Sequence, residues 1–334
     1  PDCLELIKTY GADGVRVGML FCSPAGNDLL FDEALCEQGR NFSNKIWNAF
    51  RLVKGWQVDD GIDQPQESVA AGKWFDAKLN ETIATIDDHF SKFRISDALM
   101  SGYKLIWDDF CSWYLEIIKP GYEQPVDKAT YEEAIGYFES LMKLLHPFMP
   151  FISEEIWHLI AERKEGDDLI VANWPNANAA DDKVLTDFDI LVEVVTAVRN
   201  VRKQKNISPK EKLDLIIKES DDRTSPLDAV IVKLANLKGI SHSMDRPDNA
   251  ESLVIRSTEY FIPLADAIDV EAASGNLEEE LKYTRGFLIS VSKKLANKKF
   301  VDNAPAEVVE KERKKQLDAE ARIKVLEGQL ANLN

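Results

Sequence analysis

Apolar residues recur every three or four positions through most of the first half of the chain. In GRNFSNKIWNAFRLVKGW, residues 39–56, a turn of 100° per residue puts Phe42, Ile46, Ala49, Phe50 and Val53 on one stripe. The opposite side carries Asn41, Asn44, Lys45, Asn48 and Arg51. The same period predicts helices over 32–54, 67–90, 94–118 and 127–146. They are separated by the polar run QVDDGIDQPQ, by Lys119-Pro120-Gly121 and by His146-Pro147. Ser153 reads as the N-cap of another helix, with Glu154 and Glu155 favourable in its first turn. Residues 1–30 are expected to be irregular. Helices joined this closely predict an antiparallel bundle over 31–165, with Trp47, Trp107, Trp113 and Trp157 in its core.

The pattern then changes. Residues 166–182 (GDDLIVANWPNANAADD) read as a polar linker holding one strand-like run. Helical spacing returns from 184 to about 205 and runs out into RNVRKQK. LDLIIK (213–218) alternates like a strand, PLDAVIVKLANL (226–237) reads as a helix, and SLVIRS and EYFIPL (252–264) as strands. This predicts a small α/β subdomain over 183–270. Beyond it, Leu277, Leu281, Thr284, Leu288, Val291, Leu295 and Lys298 follow one another at alternating spacings of four and three. After NKKFVDNAP the seam restarts at Val309, Glu312, Gln316, Ala319, Ile323, Leu326, Leu330 and Leu333. Pro305 suits the first turn of the second helix, with Asn303 near its cap. An antiparallel coiled-coil hairpin over 274–334 follows, its seam weakened at Glu312 and Gln316. Each arm reaches about 40 Å, too long for two helices to bury, so the hairpin is expected to project. The fold class is mainly α: helical bundle, small α/β subdomain, coiled-coil arm.

Composition narrows the function. A chain of 334 residues can hold two or three cores, and no run of 18 apolar residues spans a membrane. PDCLELIKTYG has neither the basic nor the apolar region of a signal peptide. The chain opens on Pro1 rather than Met and is expected to be cut from something longer. Cys3, Cys22, Cys36 and Cys111 are scattered, which favours a reducing compartment, and His89, His146, His158 and His242 are not at ligand spacing with them. No metal site is expected. His146 and His158 have no nucleophile or orienting carboxylate evident in sequence, so catalysis by either is not expected.

Net charge is −17, which taken whole argues against nucleic acid. Charge is segregated, however. Residues 199–218 hold seven basic residues against Glu211 and Asp214, and residues 285–324 hold 11 Lys/Arg against 6 Asp/Glu. Screening confines each field to about 8–10 Å, so two basic patches on an acidic body suit a polyanion docking at chosen places.

Several blocks carry a resemblance. GADGVRVGML (11–20) with SPAGNDLLFDE (23–33) resembles the segment after the KMSKS loop in the Val/Ile/Leu group of class I aminoacyl-tRNA synthetases. RNFSNKIWNAFRLV (40–53) resembles the first long helix of that group's anticodon-binding bundle, and HPFMPFISEEIW (146–157) its late-bundle element. KKLANKKFVDNAPAEVVEKERKK (293–315) is similar to the hairpin tip of the valyl-tRNA synthetases. The resemblance covers essentially the whole chain, and no HIGH-type, KMSKS-type or Gly-rich phosphate element is present.

The resemblance implies a tRNA-recognition part that is inactive alone. It implies no cofactor here, with ATP and Mg²⁺ belonging to catalytic and editing domains outside this stretch. Valine tRNA is the implied partner, in the cytoplasm, with the protein a monomer and no membrane attachment. Arg40, Asn41, Asn44, Lys45, Asn48 and Arg51 would face the anticodon stem-loop, amides suiting base edges and cations phosphates. Asn44 and Asn48 could instead hydrogen-bond within the bundle. Arg199, Arg202, Lys203, Lys205, Lys293, Lys294, Lys298, Lys299, Arg313, Lys314 and Lys315, with Lys311, would hold tRNA backbone, the hairpin set at the outer corner where the D and T loops meet. Phe300 would plug the tip. Two rivals stay open: another synthetase of the group (isoleucyl or leucyl), and a helical protein-interaction module whose hairpin pairs with a partner coiled coil.

Overall fold

The computed structural model describes residues 2–23, 30–218, 225–264, 270–296 and 306–333. Residues 1–30, expected to be irregular, instead carry helix α1 (Cys3–Phe21), kinked at Gly11, where φ is +76°. Two of its glycines are contact points. A Cβ on Gly14 would lie 3.1 Å from the Arg40 amide nitrogen, and one on Gly18 only 2.7 Å from that of Cys36. Gly39 faces Gly14 in the same way. Small residues thus let α1 lie directly on α2 (Glu33–Lys54).

The bundle continues through α3 (Gln66–Ser91), α4 (Ile95–Lys104), α5 (Leu115–Ile118), α6 (Lys128–Leu145) and α7 (Pro150–Ile160). Two residue pairs, β1 (Val58–Asp59) and β2 (Val126–Asp127), join its loops in parallel. The expected helix over 94–118 is not uniform: Leu105–Tyr114 is a π-helical segment between α4 and α5. The Ser112 hydroxyl donates to the Trp107 carbonyl five residues back, 2.9 Å away.

The start of α7 also corrects the sequence reading. Pro150 occupies the first turn, where its missing N–H costs nothing, and Ser153 lies buried inside the helix. The cap comes from another helix: the buried Asp13 carboxylate of α1 accepts the Phe151 and Ile152 amides at 3.3 and 2.8 Å. Arg16, one turn on, donates to the Pro147 and Phe148 carbonyls. The GADGVRVG block therefore holds the HPFMPF turn.

Residues 166–182 are not a free connection. Leu169–Val171 makes a 3₁₀ turn, Trp174 donates to Asp87 at 2.8 Å, and the Asn178 amide donates to the Asn80 side chain. Helix α8 (Asp182–Gln204) packs on the bundle, Phe188 stacking on Trp74 with ring centres 3.6 Å apart. Strands β3 (Leu213–Ile217), β4 (Leu237–His242), β5 (Ala250–Ile255) and β6 (Thr258–Pro263) form one sheet in the order β4-β3-β6-β5. β3 and β4 are parallel, joined through α9 (Asp228–Ala235); the β3–β6 and β5–β6 pairs are antiparallel. One apolar core runs from α2 through α8 into this sheet.

Helices α10 (Val270–Ala296) and α11 (Ala306–Leu333) pack against each other. Val291, Val309, Ala319 and Leu326 are buried between them. Asn303, Pro305, Phe300 and Lys298 lie outside the described residues.

Candidate nucleic-acid interface

Helix α2 is fixed by its own sequence and by its neighbours. Asp32 caps it through the Ala34 amide (3.0 Å), Glu33 opens it, and Arg51 and Lys54 close it, each charge suiting the helix dipole. Phe42, Ile46, Ala49, Phe50 and Val53 are buried as their stripe requires. Asn41, Asn44, Asn48 and Arg51 are exposed. Among the described residues the three Asn side chains make no hydrogen bond, so none of them ties the bundle together. A row of unspent amide donors and acceptors therefore faces outward.

An aromatic step adjoins this row. Trp107, at the entry to the π segment, stacks on Tyr103 with ring centres 5.5 Å apart and planes 13° apart. Tyr103 in turn touches Phe42 at 4.6 Å. The Lys45 ammonium lies 5.1 Å from the Trp107 ring centre, a cation–π distance. Trp107 is half-buried rather than core, as are Trp47 and Trp113; Trp157 is buried. The spacing of Tyr103 and Trp107 puts both on one helix face, a signal present in the sequence. Arg40 stands at the other end of the row, 3.3 Å from Glu37 and 5.5 Å over the Tyr10 ring. Also in the π segment, burial pushes the Asp109 carboxyl up to about 6, against the opposing pull of Lys78.

The second patch divides. Arg202 is buried and spends both terminal nitrogens on carbonyls: Ser208 and Glu211 from one, Ala235 and Asn236 from the other, at 2.8–3.1 Å. It is a staple joining the end of α8 to the β3 and β4 strands, and it is withdrawn from the phosphate-binding set. Arg199 is exposed but donates to the Leu234 carbonyl and lies 5.9 Å over Trp113. Lys205 pairs with Glu251 at 2.9 Å. Lys203 is exposed.

On the hairpin the cations stay outside. Lys293 and Lys294 close α10, and Lys311, Arg313, Lys314 and Lys315 lie in the opening turns of α11, all exposed. They converge at one end of the helix pair. The seam residue Glu312 is buried, with Lys315 at 2.8 Å and Lys294 at 3.9 Å; the Lys315 contact holds its carboxyl below the usual range. Lys298 and Lys299 lie outside the described residues.

The histidines are better partnered than the sequence implied. His146 Nδ1 is 2.8 Å from the Ser153 hydroxyl, and His158 Nε2 lies 3.2 Å from Glu154 and 3.3 Å from Asp168.

Two sequence families match the chain. One, described as the anticodon-binding domain of tRNA ligase, matches residues 72–217; the other, the valyl tRNA synthetase tRNA binding arm, matches 269–334. The chain is 55% identical over 333 residues to a valine–tRNA ligase of Parabacteroides distasonis and 52% identical over 334 residues to one of Christiangramia forsetii. A third, from Bacillus cereus, is 35% identical over 347 residues. The first two alignments cover 100% of this chain and 38% of each relative, the third 99% and 39%.

Proposed function

The chain belongs to the valine–tRNA ligase family, and from that premise we propose that it grips valine tRNA at two separate places. One grip is the outward row of α2 (Asn41, Asn44, Asn48, Arg51) with Lys45 and the Trp107–Tyr103 step, which takes the anticodon loop. Splayed bases stack on an aromatic face and are read at their edges by amides, while cations hold the backbone. The other is the basic end of the hairpin, with Lys293, Lys294, Arg313, Lys314 and Lys315, and beyond the described residues Lys298 and Lys299. It takes the outer corner of the same tRNA. Lys203, exposed at the end of α8, adds a phosphate contact. The exposed, unbonded asparagines beside Trp107 are the observation that carries this reading, because a solvated helix face has no need of them.

Two weak grips on one rigid molecule reinforce each other and fix its orientation. In the whole protein this presents the tRNA 3′ end to domains that adenylate valine with ATP and Mg²⁺ and transfer it. The partners are thus valine tRNA and those domains, with the protein a cytoplasmic monomer. The absence of HIGH- and KMSKS-type elements from this sequence supports a purely positioning role. The chain alone is expected to show no ATP–pyrophosphate exchange.

Hydroxyl-radical footprinting of bound valine tRNA tests the reading. Protection is expected in two separated regions, the anticodon loop and the D/T corner. Protection confined to one region, or spread evenly along the duplex arms, would overturn it.

A further inference from the structure

Outside both grips, a cluster of donor groups lies where α7 meets the 3₁₀ turn. Glu154 and His158 are one helical turn apart, so both project from the same face of α7. Asp168 comes to them from the segment just ahead of the turn. His158 Nε2 is 3.2 Å from a Glu154 oxygen and 3.3 Å from an Asp168 oxygen, and all three donor atoms lie within 4.8 Å of one another. Neighbouring ligands of a tetrahedral ion with bonds of about 2.0–2.1 Å are about 3.3 Å apart. The two distances from His158 therefore already stand near the edge length of such a shell.

Their support is equally specific. The Leu169 amide donates to Glu154 at 2.7 Å, which orients that carboxylate and ties the turn to α7. His146 Nε2 is 3.9 Å from the other Glu154 oxygen, while its Nδ1 is anchored on Ser153. Ser153 itself donates to the Met149 carbonyl at 2.8 Å, so its hydroxyl accepts from His146 Nδ1–H. The cluster opens onto a surface depression bordered by Phe151 and Ile170, which leaves room for a water as fourth ligand.

We infer that Glu154, His158 and Asp168 form a site for a divalent transition-metal ion, with zinc the ion of matching ligand set. The ion clasps the 166–172 segment to α7, and the Leu169 amide holds Glu154 in place. A search of the sequence for paired Cys and His overlooks this arrangement, because two of its three donors are carboxylates and one is remote in sequence.

The test is a titration of the chelator-stripped full chain with Co²⁺, followed by Zn²⁺. One Co²⁺ per chain is expected, with the visible absorption of a four-coordinate centre, displaced by Zn²⁺. His158→Ala and Asp168→Asn should each weaken binding by about tenfold or more. Both side chains are exposed, so these variants should keep the parent circular dichroism. Glu154→Gln, which keeps an acceptor for Leu169, should weaken the ion as well. Absence of Co²⁺ binding below millimolar concentration would overturn the proposal and leave His158 as a polar partner between two carboxylates. Binding that persists unchanged in His158→Ala would overturn it equally, pointing to the thiols.

Discussion

Residues 199–218 and the hairpin stretch 285–324 carry the same excess of positive charge, five each, and use it in opposite ways. In the first, folding consumes much of it and leaves Lys203, Lys210 and Lys212 exposed. Arg202 is drawn inside to bind four carbonyls, Arg199 lies on Trp113, and Lys205 is paired. In the second, among the described residues, Glu312 reaches the seam, and Lys293, Lys294, Lys311, Arg313, Lys314 and Lys315 around it remain exposed. The difference follows from shape. A helix packed against a sheet on one side and a bundle on the other has carbonyl ends that need donors. A two-helix hairpin has one thin seam, so nearly all its charged groups stay in water. A run of basic residues is therefore a binding surface only where the fold has no internal use for it.

The sharpest way to break this contrast is at Arg202. Arg202→Met should destabilise the protein by about 3 kcal/mol or more in denaturant unfolding, since several buried carbonyls lose their donor together. An unfolding free energy equal to the parent's would return Arg202 to the surface set. Next in size is the aromatic step. Trp107→Ala should weaken tRNA binding by about 1–3 kcal/mol, the usual worth of a stacked base, whichever bases the anticodon carries. An unchanged affinity would make Trp107 a packing residue only.

Smaller effects separate the hairpin from the bundle. Lys314→Gln or Arg313→Gln should weaken all tRNAs alike and lower the salt slope of binding by about one each, with no change in stability. The smallest effect concerns Asp109. Its folded-state value of about 6 stands above the ordinary 3.8, so it favours folding in its protonated form. That contribution is full below about 4 and is lost as pH rises through about 6. Asp109→Asn should therefore raise the melting temperature slightly at pH 7.5, with the gain shrinking toward pH 4. A gain that grows on acidification would reverse the assignment.

Much of this architecture is legible in the chain. The period of α2, α3, α6 and α8 gives their ends to within about two residues, because each buries a continuous stripe. The helix α1 is not legible, since Gly11, Gly14 and Gly18 read as breaks, while two of them exist to let α2 approach. Ser153 misleads for a related reason: the groups capping α7 come from Asp13, 138 positions away. Strand β4, LKGISH, lacks alternation and is defined by its parallel pairing with β3. At the candidate site, the outward asparagines could be read from α2 alone. The partial exposure of Trp107 could not, because a tryptophan in an apolar stripe reads as core, and neither could the burial of Arg202.

The account turns on whether two distinct surfaces hold one tRNA. The most direct measurement is binding of valine tRNA and of the same tRNA with an altered anticodon across a salt series. The anticodon change should lower affinity by tenfold or more while leaving the salt slope unaltered, since the backbone contacts at the hairpin remain. Equal affinity for the two tRNAs, or a flat response to salt, would contradict it.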